Sequence, residues 1–197
     1  MTKPMLNNEQ ISRLDSIARV GGDKIGSALS KWTATDIITK SSHASIVHYS
    51  QLLEPSFSPE DLITAILIKV SGALSGYLIF LFDEKSAIEI VTRILHREID
   101  SILELDDISR SVMEETGNII GTAFLNTLAM NLNLEIYPSS PIIACDLSGA
   151  IVETIMAQFA IQGEYALSCH ISFSSSNDKI NGIFSMFPED IDAWRSI

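Results

Sequence analysis

An α+β fold follows from three features of the chain: one order of elements that occurs twice, a fixed offset of 99 residues that superimposes the two occurrences, and enough apolar residues for a shared core. Each occurrence reads as long helix, strands, hairpin and helix. The offset places Leu29 on Leu128, Gly22 on Gly121 and Val20 on Ile119, and with a small insertion Gly76-Tyr-Leu-Ile-Phe-Leu-Phe matches Gly182-Ile-Phe-Ser-Met-Phe. An internal duplication of this kind predicts two halves, about 8–97 and about 105–197, inside one domain spanning 1–197. If the two hairpins pair, their strands make one continuous mixed or antiparallel sheet. The two long helices then lie on one side of it, related by pseudo-two-fold symmetry.

In chain order, residues 8–31 read as a helix because Ile11, Leu14, Ile17, Val20, Ile25 and Leu29 recur at helical spacing. Each of its glycines, at 21, 22 and 26, costs roughly 1 kcal/mol relative to alanine, so they imply close packing against a neighbour. Gly21 to Ser27 also mimics a phosphate-binding loop, but it lacks the lysine after the second glycine and lies inside a helical pattern. Residues 33–53, rich in Thr, Ile, Val and Ser, predict extended structure, and Pro55, Ser58 and Pro59 predict a loop. Residues 62–70 and 76–82 read as strands joined by a turn at 71–75, and 84–95 returns to helical spacing through Ile88, Val91 and Leu95. A connection over 97–105 leads to the second long helix. It begins at Asp106 or Asp107, which can cap it, and ends near Asn131 or Asn133. Its buried side is expected to carry Ile108, Val112, Met113, Ile119, Ile120, Ala123, Phe124, Thr127 and Met130. Residues 134–143 read as extended, although Pro138 and Pro141 confine them to an edge or an irregular stretch. A short helix over 148–159, a strand pair at 165–173 and 182–187 across a polar turn, and one or two helical turns over 190–197 complete the second half.

Composition narrows the function. The 25 acidic residues outnumber 13 basic ones, giving a net charge of −12 and a pI near 4.6. That balance argues against a groove for nucleic acid, whose phosphates need a cationic surface. It suits a basic patch on a protein partner. No apolar run reaches bilayer length and MTKPMLNNEQ has no apolar signal region, so no membrane insertion and a cytoplasmic location are expected. Cys145 and Cys169 read as free thiols, and His43, His48, His96 and His170 fall in four contexts without helical pairing, so no metal site is expected. No G-x-S-x-G elbow is present.

One pattern carries chemistry. On the second long helix Ser111, Glu115, Asn118 and Thr122 fall within an arc of roughly 60°, a polar stripe that must face water or a partner. Most such stripes are solvated surface and nothing more. Glu114, about 100° from Glu115 around the helix, is read as solvated. The stripe, however, belongs to a longer pattern, Ser111-x3-Glu115-x2-Asn118-x22-Pro141, with Gly117-Asn118-Ile119-Ile120-Gly121 around the asparagine. This resembles the motif of the CheC/CheX/FliY family of chemotaxis phosphatases: Asp or Ser, then Glu, Asn and Pro. The resemblance covers essentially the whole chain, because two-half members of that family also repeat a long helix, strands and a hairpin. Leu29-Ser30-Lys31 at the end of the first helix is a further local likeness.

The resemblance implies a CheC-like fold, with two long helices across one sheet, and hydrolysis of the aspartyl phosphate on a CheY-type response regulator. In that reading Asn118 places the in-line water, Glu115 reaches the regulator's active-site lysine, Ser111 supports that contact and Pro141 shapes the neighbouring strand. The regulator brings its own Mg²⁺, so no cofactor of the chain's own is expected. At the same offset the first half has Ser12, Ser16, Arg19 and Ser42, which supply neither carboxylate, amide nor proline. One active site, in the second half, is therefore expected. Also open are a non-catalytic module of this fold that binds a receiver domain or a flagellar-switch or chemoreceptor partner, and a first half that binds a second regulatory protein. Monomer and homodimer are both compatible with the sequence.

Overall fold

The computed structural model describes residues 6–48, 57–159, 165–177 and 179–189. Asn7 starts the first helix, α1 (Asn8–Thr33): its side chain accepts from the Gln10 N–H at 2.8 Å, and the Gln10 side chain accepts from the Asn7 N–H at 2.9 Å. Two of the donors that every helix start leaves unpaired are thereby satisfied. The helix stops at Ala34, which turns left-handed with φ 51°. The same pattern recurs 99 residues later in α3 (Asp107–Leu132), capped by Asp106 and stopped by Asn133 at φ 52°. Both helices contain 26 residues.

Between them come β1 (Ile37–His48), β2 (Leu62–Gly72), β3 (Gly76–Asp83) and α2 (Glu84–Leu95), with a single 3-10 turn, Ile102–Glu104, before α3. After α3 come β4 (Ile136–Pro138), β5 (Ile142–Leu147), α4 (Ser148–Phe159), β6 (Tyr165–Ser175) and β7 (Asn181–Pro188). The elements expected from the sequence are present; the turns expected over 190–197 and the loop at Pro55 lie outside the described residues. The strands form one seven-stranded sheet ordered β1-β6-β7-β3-β2-β4, with β5 also on β2. Every pairing is antiparallel. At the β3–β7 seam, where strands from the two halves meet, Tyr77 lies opposite Phe187 and Phe82 opposite Gly182. The order reads alike from either end when β1 is equated with β4 and β5, β6 with β2, and β7 with β3.

Three helices cover one face of the sheet. Leu14, Ile25 and Leu29 of α1, Ile90 of α2 and Ile120, Phe124 and Leu128 of α3 pack with Ile66, Ile68, Phe80 and Phe184 in a single core. The Phe124 ring sits 4.4 Å from that of Phe184, which is 4.7 Å from that of Phe80, so three aromatic rings bind α3 to the seam. Burying such a side chain is worth roughly 1.5–3 kcal/mol, with a further 0.5–1.5 kcal/mol or so for well-oriented ring pairs. The α1 glycines serve the close approach their cost implied: a Cβ on Gly21 would lie 2.5 Å from Phe124, and one on Gly22 3.1 Å from Ile171 and Thr39. On the opposite face α4 places Ile151 over Ile63, Ala65, Ile79 and Phe187.

Three expectations need correction. Ile108 and Met130 are not buried but 61% and 83% exposed. The sheet and α1 take the side of α3 centred on Gly117 and Phe124, and Ile108 and Met130 lie roughly 170° and 130° away from it around the helix. Glu114 is half-buried rather than fully solvated. His43 and His170, expected in separate contexts, are direct cross-strand neighbours on β1 and β6 with ring centroids 5.2 Å apart. Strand register, a non-local property, brings them together.

Candidate functional site

The helix that carries the polar stripe is fixed first at its start. Asp106 accepts the Ser109 N–H at 2.8 Å, and Arg97 donates to both Asp106 oxygens, at 2.9 and 3.1 Å, and to the Ser109 hydroxyl at 2.8 Å. Ser109, with Arg97 second, holds the Asp106 carboxyl down from 3.8 to about 2. The negative cap also complements the positive end of the helix dipole. One turn on, Ser111, Glu115, Asn118 and Thr122 are all exposed, as their spacing predicts. Ser111 turns its hydroxyl back to the Asp107 carbonyl at 2.8 Å, and the Asn118 amide donates to Glu115 Oε2 at 3.3 Å. An acceptor-only carboxylate thus stands beside an amide that can both accept and donate.

The underside of this stretch is set by Gly117 and Pro141. A Cβ on Gly117 would meet Ile66 Cγ2 at 2.5 Å and Pro141 Cβ at 3.3 Å, so α3 rests directly on β2 and on the β4–β5 break beside Asn118. The break has a clear origin. Between the Leu67–Ile142 and Val70–Pro138 pairs, β2 has two residues and the opposite side three, a bulge that ends at Pro141. Ser139 stitches it, donating its N–H to the Lys69 carbonyl at 2.8 Å and accepting the Lys69 N–H on Oγ at 3.0 Å. The first-half counterpart, Ser42, lies inside the single strand β1. Arg110 adds a tie from α3 to the Ile143 carbonyl at 3.3 Å.

Sequence reasoning missed Arg97, Gly117 and the Trp32–Thr116 contact. The Trp32 indole N–H on α1 donates to Thr116 Oγ1 at 2.9 Å, locking the two long helices together beside Glu115. Only the glycine within Gly-Asn-Ile-Ile-Gly left a local trace; Arg97 reaches its partners across the connection before α3, and Trp32 meets Thr116 only through tertiary packing.

The first-half positions form a different arrangement. Arg19 pairs with Asp15 at 2.8 Å, Asp15 also accepts the Ala44 N–H at 3.0 Å, and Ser16 donates back to the Ser12 carbonyl at 3.0 Å. Their side chains are tied to α1 itself and to β1. Among the described residues no three His, Cys, Asp or Glu side chains cluster as metal ligands. Burial, and next the neighbouring His43, lower the pKa of His170. Both cysteines are free, and burial, with a smaller push from Asp15, raises Cys169 to about 12, which leaves its thiol inert. Among the described residues no helix is long and apolar enough to cross a membrane.

No family model matches the chain. A curated relative, the CheY-P phosphatase CheC of Bacillus subtilis (strain 168), is 22% identical over 98% of this chain and 93% of its own length. Among solved structures, FliY of Thermotoga maritima aligns over 98% of this chain and 96% of its own, with TM-score 0.73 and 14% identity. The fold is CheC-like. Other solved structures share this CheC-like fold. A chain of a FliG–FliM complex from H. pylori matches with TM-score 0.69 and 15% identity over 98% and 100% of the two chains. A CheX–CheY–BeF3–Mg complex from Borrelia burgdorferi matches with TM-score 0.54 and 16% identity over 87% and 97%. The likeness to CheC in sequence and to FliY in fold thus extends along nearly the whole chain.

Proposed function

We propose that this CheC-like chain hydrolyses the aspartyl phosphate of a CheY-type receiver domain. The observation that carries the reading is the exposed pair of Asn118 and Glu115, 3.3 Å apart on a helix seated on Pro141 through Gly117. The Asn118 amide holds a water in line with the phosphorus; the water oxygen attacks, the bond from phosphorus to the aspartyl oxygen breaks, and inorganic phosphate and a free carboxylate result. An acyl phosphate has a good leaving group, so positioning is the main requirement. Glu115 pairs with a lysine of the receiver and fixes the register of the helix on its partner, while Ser111 and Pro141 support that surface. The Mg²⁺ belongs to the phosphorylated substrate. The ion-paired Arg19 and back-bonded Ser16 at the first-half positions support a single site, in the second half.

A second reading has its own observation: the FliM middle domain from H. pylori shares the fold. On that reading the chain is a binding module of a chemotaxis or flagellar assembly and hydrolyses nothing. Decay of a phosphorylated CheY-type receiver domain, followed with and without the protein, separates the two. Acceleration that Asn118→Ala lowers about a hundredfold or more, with binding to the beryllofluoride-loaded receiver retained, supports the phosphatase. Glu115→Ala should weaken both decay and binding, since its contact exists before the barrier as well as at it. Binding without acceleration would establish the module instead.

A further inference from the structure

Beside the polar stripe, α1 and α3 enclose an open groove of about 580 Å³ that reaches from Ile119 to Met130 on α3 and includes Lys24, Lys31 and Trp32 on α1. We propose that this groove is a second docking point for the phosphorylated receiver domain, an acidic, apolar-tipped surface of which seats between the helices while the phosphoryl group faces Asn118; the inference rests on the function proposed above.

Charge is the first support. The chain carries a net −12, which repels an acidic, phosphorylated partner at long range. The groove reverses that locally: no lining residue is acidic, and neither Lys24 nor Lys31 is within salt-bridge distance of a carboxylate among the described residues. Arg19, by contrast, is already neutralised by Asp15 at 2.8 Å. Lys31 complements the α1 dipole from the last turn, but Lys24, two turns inside the helix, has no such role. The apolar floor is the second support. Met130 is 83% exposed and joins half-buried Ile119 and Trp32. Asn126 of the groove lies one turn beyond Thr122 of the stripe and about 40° around α3 from it, so the groove adjoins the stripe.

Affinity for the beryllofluoride-loaded, Mg²⁺-bound receiver domain tests the inference at about 50 mM and about 500 mM salt. Expected is a loss of about tenfold or more for Lys24→Glu/Lys31→Glu at low salt that shrinks at high salt, where the screening length falls to a few ångströms. Met130→Asp should weaken binding at both. Lys40→Glu/Lys85→Glu changes the net charge equally at exposed lysines away from the groove and should leave affinity near wild type. All the exchanged lysines are exposed, so folding is not at issue. Equal losses in both double variants would overturn the proposal in favour of net charge alone. Unchanged binding in the groove variants of a protein that still accelerates acyl-phosphate decay would overturn the groove and leave the phosphatase standing. A wild-type protein that neither binds nor dephosphorylates the receiver would remove both.

Discussion

A methyl group at residue 117 would sit 2.5 Å from Ile66 Cγ2 and 3.3 Å from Pro141 Cβ, too close for either to remain in place. Alanine is the better helix former by roughly 1 kcal/mol, yet overpacking of this kind costs about 1–3 kcal/mol, so Gly117→Ala should be net neutral to destabilising. The sharper effect is on position. Lifting α3 by a few tenths of an ångström moves the Asn118 amide, and phosphate release should fall about tenfold or more. Release kinetics paired with a melting curve check this; an unchanged rate would show that the stripe does not need its seat. At the same scale Ser16→Ala and Arg19→Ala should leave the rate within about twofold, because among the described residues their side chains bond within α1, to Ser12 and Asp15. The stripe itself was legible in the sequence because spacing on a helix fixes direction. The seat was not: Ile66 and Pro141 reach Gly117 only through sheet register.

The two long helices are the elements the sequence specifies best. Apolar periodicity gave their course, and for α3 the caps gave the ends to within a few residues. Their orientation was harder, since α3 carries apolar side chains around much of its circumference and periodicity alone does not say which of them meet the sheet; Ile108 and Met130 were lost on that account. The start of α3 makes a pH prediction. Because Asp106 is held from 3.8 down to about 2, its contribution is fully present above about pH 4 and is lost as pH falls from there through about 2. Asp106→Ala should therefore melt at a lower temperature than wild type near neutral pH, and the gap should narrow across that acid window. Thermal melts between pH 2 and pH 7 test this; a gap independent of pH would mean that the charge at the cap is idle.

For the molecule as a whole, the decisive junction is the β3–β7 pairing, where Phe184 touches Phe80 across the seam and Phe124 from the helix above. Strands contributed by both halves share that core, so the halves should unfold together. Phe184→Ala should cost about 3–5 kcal/mol and lower one cooperative transition, seen alike by far- and near-ultraviolet circular dichroism. Two separated transitions would show instead that the halves are independent. The pairing of the two hairpins in one sheet could be read from the chain, because a hairpin with an apolar face needs a partner. The neighbouring of His43 and His170 could not, since the partner of an outer strand is not encoded near it.

Trp32 gives the molecule a built-in optical reporter. The chain has two tryptophans, and replacing Trp194 with phenylalanine leaves Trp32 as the single indole fluorophore. Its N–H is bound to Thr116, one residue from Glu115, and its ring lines the groove between the long helices. A protein surface settling there strips water from the ring and should shift its emission to the blue, whereas Thr116→Val, which removes the acceptor, should change the emission of the free protein. Titration of the single-tryptophan variant with a receiver domain would thus report docking without any added label, and a flat emission spectrum through saturation would place the contact elsewhere.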